Sequence, residues 1–198
     1  MKFPFLKWTW RFRANGFKMS DDILKDQIKI TPGSNLTIAD LRTLPELNFS
    51  TYSYIVKELA DDIEKKTGIL SIIPIIQSAH ESRNGNSGLA RNHGNLFGIV
   101  ATDSWKSKGK QIALMPTWES INGHRVDMKR EFRAYGSWRE SFDDWAGLIT
   151  GLSIYKNSYK LLKQKDTLRE GIREMGIIYA TDPAYAKKLL AMYDLVKS

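Results

Sequence analysis

The 198-residue chain has no cysteine, which excludes disulfide scaffolding, thiolate nucleophiles and cysteine-ligated metals and leaves its redox compartment open. It also has no apolar run near the roughly 20 residues that a membrane-spanning helix requires. Histidine is scarce. The three present, His80, His93 and His124, lack the spacing of metal ligands, so no metal and no cofactor is expected. Acidic residues are outnumbered, 22 against 30 Lys and Arg. The resulting net charge of +8 favours anionic partners: nucleic acid, acidic lipid or the carboxylate-bearing bacterial wall. What remains is an ordinary globular composition, 42% hydrophobic and 26% charged, in a chain long enough for one core-bearing domain with an added arm.

The stretch MKFPFLKWTWRFRANGFKMS begins like a secretory signal, but Lys7, Arg11 and Arg13 interrupt the apolar region of about 7–15 residues that such a signal needs. It is therefore expected to stay uncleaved. Trp8, Trp10 and Phe12 interleave there with Arg11 and Arg13, as in segments that contact a membrane surface or single-stranded nucleic acid. This patterning suggests an accessory arm for delivery machinery or a membrane surface; the plainer alternative is a strand docked on the domain. Residues 20–50, with Pro32, Gly33 and Pro45, read as a loose lead-in with one short helix after Thr37. The expected division is an arm and lead-in over 1–50 and a domain over 51–198.

Beyond residue 50 the periodicity is mostly helical. Tyr52, Ile55, Val56, Leu59 and Ile63 share one helical face, which stops at Gly68. Pro74 suits the first turn of a helix running to about Glu81. Ile75, Ile76 and Ala79 form its stripe; Glu81 lies about 200° round from Ala79, beside Gln77 and Ser78 and away from that stripe. Glu81 is then either a solvent-facing helix-end acid or an acid held at the lip of a cleft. SWRE (137–140) and TLRE (167–170) read as capping boxes. Trp138, Phe142 and Trp145 recur at core spacing. The last helix is expected to begin at Asp182 and Pro183, with Tyr185, Leu189, Met192 and Val196 on one side.

Residues 117–128, TWESINGHRVDM, break the helical pattern. Asn122-Gly123 between alternating residues predicts a hairpin, because a type I′ turn needs positive φ at both positions. In that register Ile121 pairs with His124, Glu119 with Val126 and Thr117 with Met128, which sets the Glu119 carboxylate on the more apolar face. A carboxyl group among apolar neighbours resists ionisation and suits general acid work; an exposed hairpin acid is the plainer reading.

In order, AHES, GNSGLA, HGNLFGI, the Glu-bearing hairpin, FRAYGSWRESFDDWAGLI and YATDPAYAKKL span roughly residues 53–198. With these motifs the chain resembles the glucosaminidase family of peptidoglycan hydrolases, glycoside hydrolase family 73, which includes flagellar rod-associated and autolysin-type enzymes. The resemblance implies a mainly α, α+β lysozyme-like fold: a helical body with a small β-hairpin lobe across a cleft. It implies that Glu81 is the catalytic acid, that Glu119 is a second acid on the first hairpin strand, and that Tyr179 lines the cleft near the acid. Ser82, Asn95, Leu96 and Phe97 are implied at the sugar groove, the last three packed below it. Many members continue E-S-G-W-G-x-S, whereas Arg83 and Asn84 stand here; the missing aromatic bears on substrate preference.

Cleavage of a glycosidic bond needs a proton for the leaving oxygen and stabilisation of an oxocarbenium-like transition state, usually from two carboxyl groups. The expected activity is hydrolysis of the β-1,4 bond between N-acetylglucosamine and N-acetylmuramic acid, by a monomer acting on peptidoglycan glycan strands. A muramidase or lytic transglycosylase shares the same partner, and a non-catalytic wall-binding or nucleic-acid-binding module is a further alternative. Nucleic acid is not expected, because the interleaved aromatic and basic residues crowd the first eighteen positions, outside the resembling region. The expected localisation is synthesis in the cytoplasm and action on the cell wall or periplasm after non-classical, phage or effector delivery.

Overall fold

The computed structural model describes residues 35–121 and 124–197, with the backbone alone for 117–121 and 124–127. Two helices lead in. The first, α1 (Ile38–Thr43), opens on a reciprocal capping box: the Thr37 hydroxyl accepts from the Asp40 amide, and the Asp40 carboxylate accepts from the Thr37 amide. Asn48 caps α2 (Phe49–Thr67), which buries the face that the periodicity marks out and stops at Gly68, φ 78°. Next, α3 (Ile72–Ser82) is buried without a break from Ile73 to Ala79. A helix covered on every side sits inside the core, and α3 packs against α2.

Short helices α4 (Gly88–His93) and α5 (Asp103–Lys106) carry the chain to a hairpin of β1 (Ile112–Ile121) and β2 (His124–Arg133). The strands are antiparallel, and Ile121 pairs with His124, Glu119 with Val126 and Thr117 with Met128, the register expected of a two-residue connection. Asn122 and Gly123 themselves lie outside the described residues. The base of the hairpin is tied to the body: Ala101 N donates to Glu131 O at 3.0 Å and Arg133 N to Ile99 O at 2.9 Å. Arg133 also pairs with Asp144 at 2.7 Å, and the Tyr135 hydroxyl donates to the same carboxylate oxygen.

The body is completed by α6 (Trp138–Gly151), a single 3-10 turn (Ser153–Tyr155), α7 (Lys156–Leu161), α8 (Leu168–Tyr179) and α9 (Tyr185–Lys197). Trp138, Phe142 and Trp145 are core residues, and Phe97 stacks on Trp145 with centroids 5.2 Å apart. The described residues thus form a helical body with one two-stranded lobe, the architecture that the motifs implied.

Several local expectations change. Thr167 does not cap α8 through its side chain; its hydroxyl donates to Leu161 O at 2.8 Å and closes the preceding turn instead. At Ser137 only half of the box forms: its side chain accepts from the Glu140 amide, while the Glu140 carboxylate accepts from Gly136 N. The last helix starts at Tyr185, because Asp182 and Pro183 form a turn in which Asp182 accepts from Ala184 N. Val196 is exposed, and Tyr193 completes the buried face of α9. The lead-in is not loose where it is described. Leu41 and Leu47 are in the core, and Thr37 bridges to Ser137.

Candidate active site

Glu81 is the penultimate residue of α3, where the helix meets a sharp turn. Arg83, Asn84 and Gly85 follow in the left-handed conformation, φ 57°, 56° and 76°. Gly85 is needed there, since a Cβ would meet Trp138 Cη2 at 2.6 Å. Ser82 braces the turn: its hydroxyl donates to Ser78 O at 2.6 Å and accepts from Gly85 N at 2.7 Å.

Opposite Glu81 runs the loop at 95–99. Gly98, φ 64°, faces the acid: a Cβ there would lie 3.6 Å from Glu81 Oε2, in ordinary van der Waals contact. From the third side comes α9, whose Tyr185 hydroxyl hydrogen-bonds to the Glu81 carboxyl. The direction of that bond follows from a buried chain. The Trp145 indole can only donate, and it gives its N–H to Gln77 Oε1 at 3.0 Å. Gln77 Nε2 therefore faces Tyr185 and donates to its oxygen at 3.1 Å. The phenolic proton is then left for Glu81.

Electrostatics follow from this enclosure. Burial pushes the Glu81 carboxyl up to about 7, against the opposing influence of the Tyr185 hydrogen bond and the Lys188 charge. At neutrality the group is poised between its acid and its carboxylate. The Tyr185 phenol is held well above its usual value, first by burial and then by the Glu81 charge, so it remains a donor. His80 packs edge-on against Tyr185 and is pushed down to about 4 by burial and Lys188. Between about 4 and about 7 it is neutral while Glu81 keeps its proton. Lys188 itself is held by Asp182 at 2.7 Å.

The other expected site residues fall in different places. Tyr179 is buried beside Glu81, and its hydroxyl donates to Phe97 O at 2.6 Å, with its ring stacked on Tyr185. Ser82, Asn95, Leu96 and Phe97 are at most 1% exposed. Their side chains are packed within the body. Asn95 uses its amide within the loop, donating to Ile99 O and Arg133 O and accepting from Ile99 N. Glu119 lies on β1 opposite Val126, and its side chain is outside the described residues. Gln77, Gly98, Tyr185 and Lys188 were not expected at the site from the sequence, although Gly98, Tyr185 and Lys188 stand inside the motifs. Among the described residues, no group of three or more His, Asp or Glu could hold a metal ion.

Residues 57–198 match the Glucosaminidase family, described as mannosyl-glycoprotein endo-beta-N-acetylglucosaminidase. The exo-glucosaminidase LytG of Bacillus subtilis is 36% identical over 141 residues, 69% of this chain and 48% of that protein. The peptidoglycan hydrolase FlgJ of Escherichia coli K12 is 32% identical over 138 residues, 68% of this chain and 42% of that protein. The chain thus spans less than half the length of these curated relatives. The glycoside hydrolase domain of Salmonella typhimurium FlgJ shares the fold with a TM-score of 0.59 at 27% identity, covering 76% of this chain and 98% of that one. The catalytic domain of the autolysin Auto from Listeria monocytogenes gives a TM-score of 0.61 at 25% identity, covering 92% and 99%.

Proposed function

The chain belongs to the Glucosaminidase family, glycoside hydrolase family 73, and we propose that it hydrolyses the β-1,4 bond between N-acetylglucosamine and N-acetylmuramic acid in peptidoglycan, with Glu81 as general acid. The observation that carries this reading is the Glu81 environment: a carboxyl raised to about 7 by burial, with one fixed donor aimed at it. A general acid works best with a pKa near the operating pH, because it must be protonated yet willing to release the proton. Tyr185 stabilises the carboxylate left behind when Glu81 protonates the leaving oxygen. Tyr179 acts through position: it pins the Phe97 carbonyl and so fixes the loop that faces Glu81.

Glu119, on the hairpin across from the body, is proposed to activate the attacking water or to stabilise the developing positive charge. The protein is proposed to meet its substrate outside the cytoplasm after delivery in which the basic aromatic arm takes part. Digestion of purified peptidoglycan, borohydride reduction and mass spectrometry test the reaction. N-acetylglucosamine at the new reducing ends is expected; reducing N-acetylmuramic acid or anhydro-sugar ends would reject it. Glu81→Gln keeps shape but has no transferable proton. It should stay folded and lose turnover by a factor on the order of 10² to 10⁴, and near-normal clearing would remove Glu81 from the role.

A further inference from the structure

At the base of the hairpin lobe lies an open pocket of about 150 Å³ lined by Thr102, Trp105, Lys108, Lys110, Arg133 and Asp144. Three cations there face one carboxylate. Asp144 is taken up by Arg133 at 2.7 Å and by the Tyr135 hydroxyl. Neither Lys108 nor Lys110 has a carboxylate within ion-pair distance among the described residues. The acids on neighbouring segments, Asp103 and Glu131, are instead both held by Lys106, at 3.1 and 2.9 Å. The pocket therefore keeps the charge of its two exposed lysines.

Its fixed walls offer donors. Arg133 is 9% exposed, and its Nε is buried with no acceptor among the described residues, a costly position for a charged donor. Thr102 Oγ accepts from Trp105 N at 3.3 Å, which leaves its proton to give. Trp105 is closed as a platform for a sugar ring: its N–H goes to Gln111 O at 2.9 Å, and Lys110 Nζ and Arg133 Cζ lie over the indole at 4.3 and 4.6 Å from a ring centroid. Positive charge with convergent N–H and O–H donors is the complement of an oxyanion. Arg133 also ties this pocket to the active site, because its amide donates to Ile99 O at 2.9 Å and its carbonyl accepts from Asn95 Nδ2 at 2.8 Å, both in the loop that faces Glu81.

We infer that this pocket is an anion subsite for a carboxylate or phosphate of the bacterial wall, carried on the peptides of the glycan strand or on a phosphate-linked wall polymer. Lys108 and Lys110 are its exposed contacts, and Arg133 is the buried cation behind them. The inference rests on the reading of the protein as a wall-cutting enzyme and adds a charge preference to it.

The test measures binding in the Glu81→Gln background, so that turnover does not enter. Three probes are compared: an uncharged N-acetylglucosamine oligomer, peptide-bearing glycan fragments, and a phosphate-linked wall polymer. The double substitution Lys108→Gln, Lys110→Gln is expected to raise Kd for a charged probe about 2–30-fold at low salt, the range for losing two exposed ion contacts. The effect should shrink with added salt, and Kd for the uncharged oligomer should stay unchanged. Lys108→Arg, Lys110→Arg keeps the charge and should keep the affinity. Lys156→Gln, Lys160→Gln removes the same charge from α7 and should leave every Kd unchanged, which separates this pocket from the charge of the whole protein. Loss with the peptide-bearing fragments, the phosphate polymer or both supports the subsite and names the carrier of the anion. Equal loss on the uncharged oligomer, equal loss from the α7 pair, or no loss with either charged probe overturns it. Charge-selective binding by a protein whose wild type cuts no peptidoglycan would refute the hydrolase reading and leave the subsite standing. Cutting without charge selectivity would do the reverse.

Discussion

At the scale of single residues, the place of Glu81 was legible and its environment was not. Counting 3.6 residues per turn puts Glu81 beside Gln77 and Ser78, and polar neighbours suggest a solvent face. Both neighbours are instead fully buried. Gln77 is spent between Trp145 and Tyr185, and Ser78 between the Tyr52 hydroxyl and the Pro74 carbonyl. A polar side chain can line a core when every donor and acceptor has a partner, and such partners come from segments too distant in sequence for a helical wheel to see. The same chain gives a prediction. Removing the phenolic proton with Tyr185→Phe withdraws a bond that favours the Glu81 carboxylate. The carboxyl should then hold its proton to higher pH, so the basic limb of the pH–rate profile should move upward from its wild-type position. The rate at its optimum should fall by about tenfold, the scale of one hydrogen bond to a charged group. A basic limb that stays in place would show that Tyr185 does not govern the ionisation of Glu81.

At the scale of elements, signals confined to a few adjacent residues carried well, and those needing a distant partner did not. Asn-Gly sets a two-residue connection, and the register of β1 with β2 follows from it. Gly68 ends α2 because its own backbone suffices for the stop. Thr167 fails as a cap because its backbone, φ −102° and ψ 1°, is not the extended conformation of a capping residue, and its hydroxyl turns back to Leu161 O. The turn after Glu81 reads in sequence only as a cluster of glycine and asparagine, yet it is wedged under an aromatic ring. That contact makes Gly85→Ala a sharp probe. Its Cβ would lie 2.6 Å from Trp138 Cη2 and 3.1 Å from Tyr52 Cε2, on a backbone at φ 76°. Left-handed strain of roughly 1–2 kcal/mol and overpacking of roughly 1–3 kcal/mol should lower stability by about 2–5 kcal/mol. Urea unfolding should show a clearly lower midpoint, and a midpoint unchanged within error would mean that the turn yields more easily than its contacts imply.

At the scale of the whole molecule, the helical body with one hairpin lobe was legible because the ordered motifs carried it, whereas the edge of the domain was not. Pro45 and the polar residues near it suggest a loose lead-in that joins the domain at about residue 51. In the structure Leu41 and Leu47 are buried, and Arg91, some fifty residues on, holds the carbonyls of Leu41, Leu44 and Pro45. The lead-in is thus part of the body through bonds that no local pattern announces. Two truncations separate the parts. A chain beginning at Ser20 lacks the basic aromatic arm and should keep its melting temperature and its activity on soluble glycan fragments, as an accessory arm requires. A chain beginning at Phe49 loses α1, two buried leucines worth roughly 1.5–3 kcal/mol each, and three of the five acceptors around Arg91. The combined loss approaches the 5–15 kcal/mol that typically separates a folded domain from its unfolded state. This shorter chain should melt far lower or aggregate, even though it retains every residue of the family match. Equal stability of the two truncated chains would place the edge of the domain at α2 after all, and loss of folding on starting at Ser20 would make the arm structural.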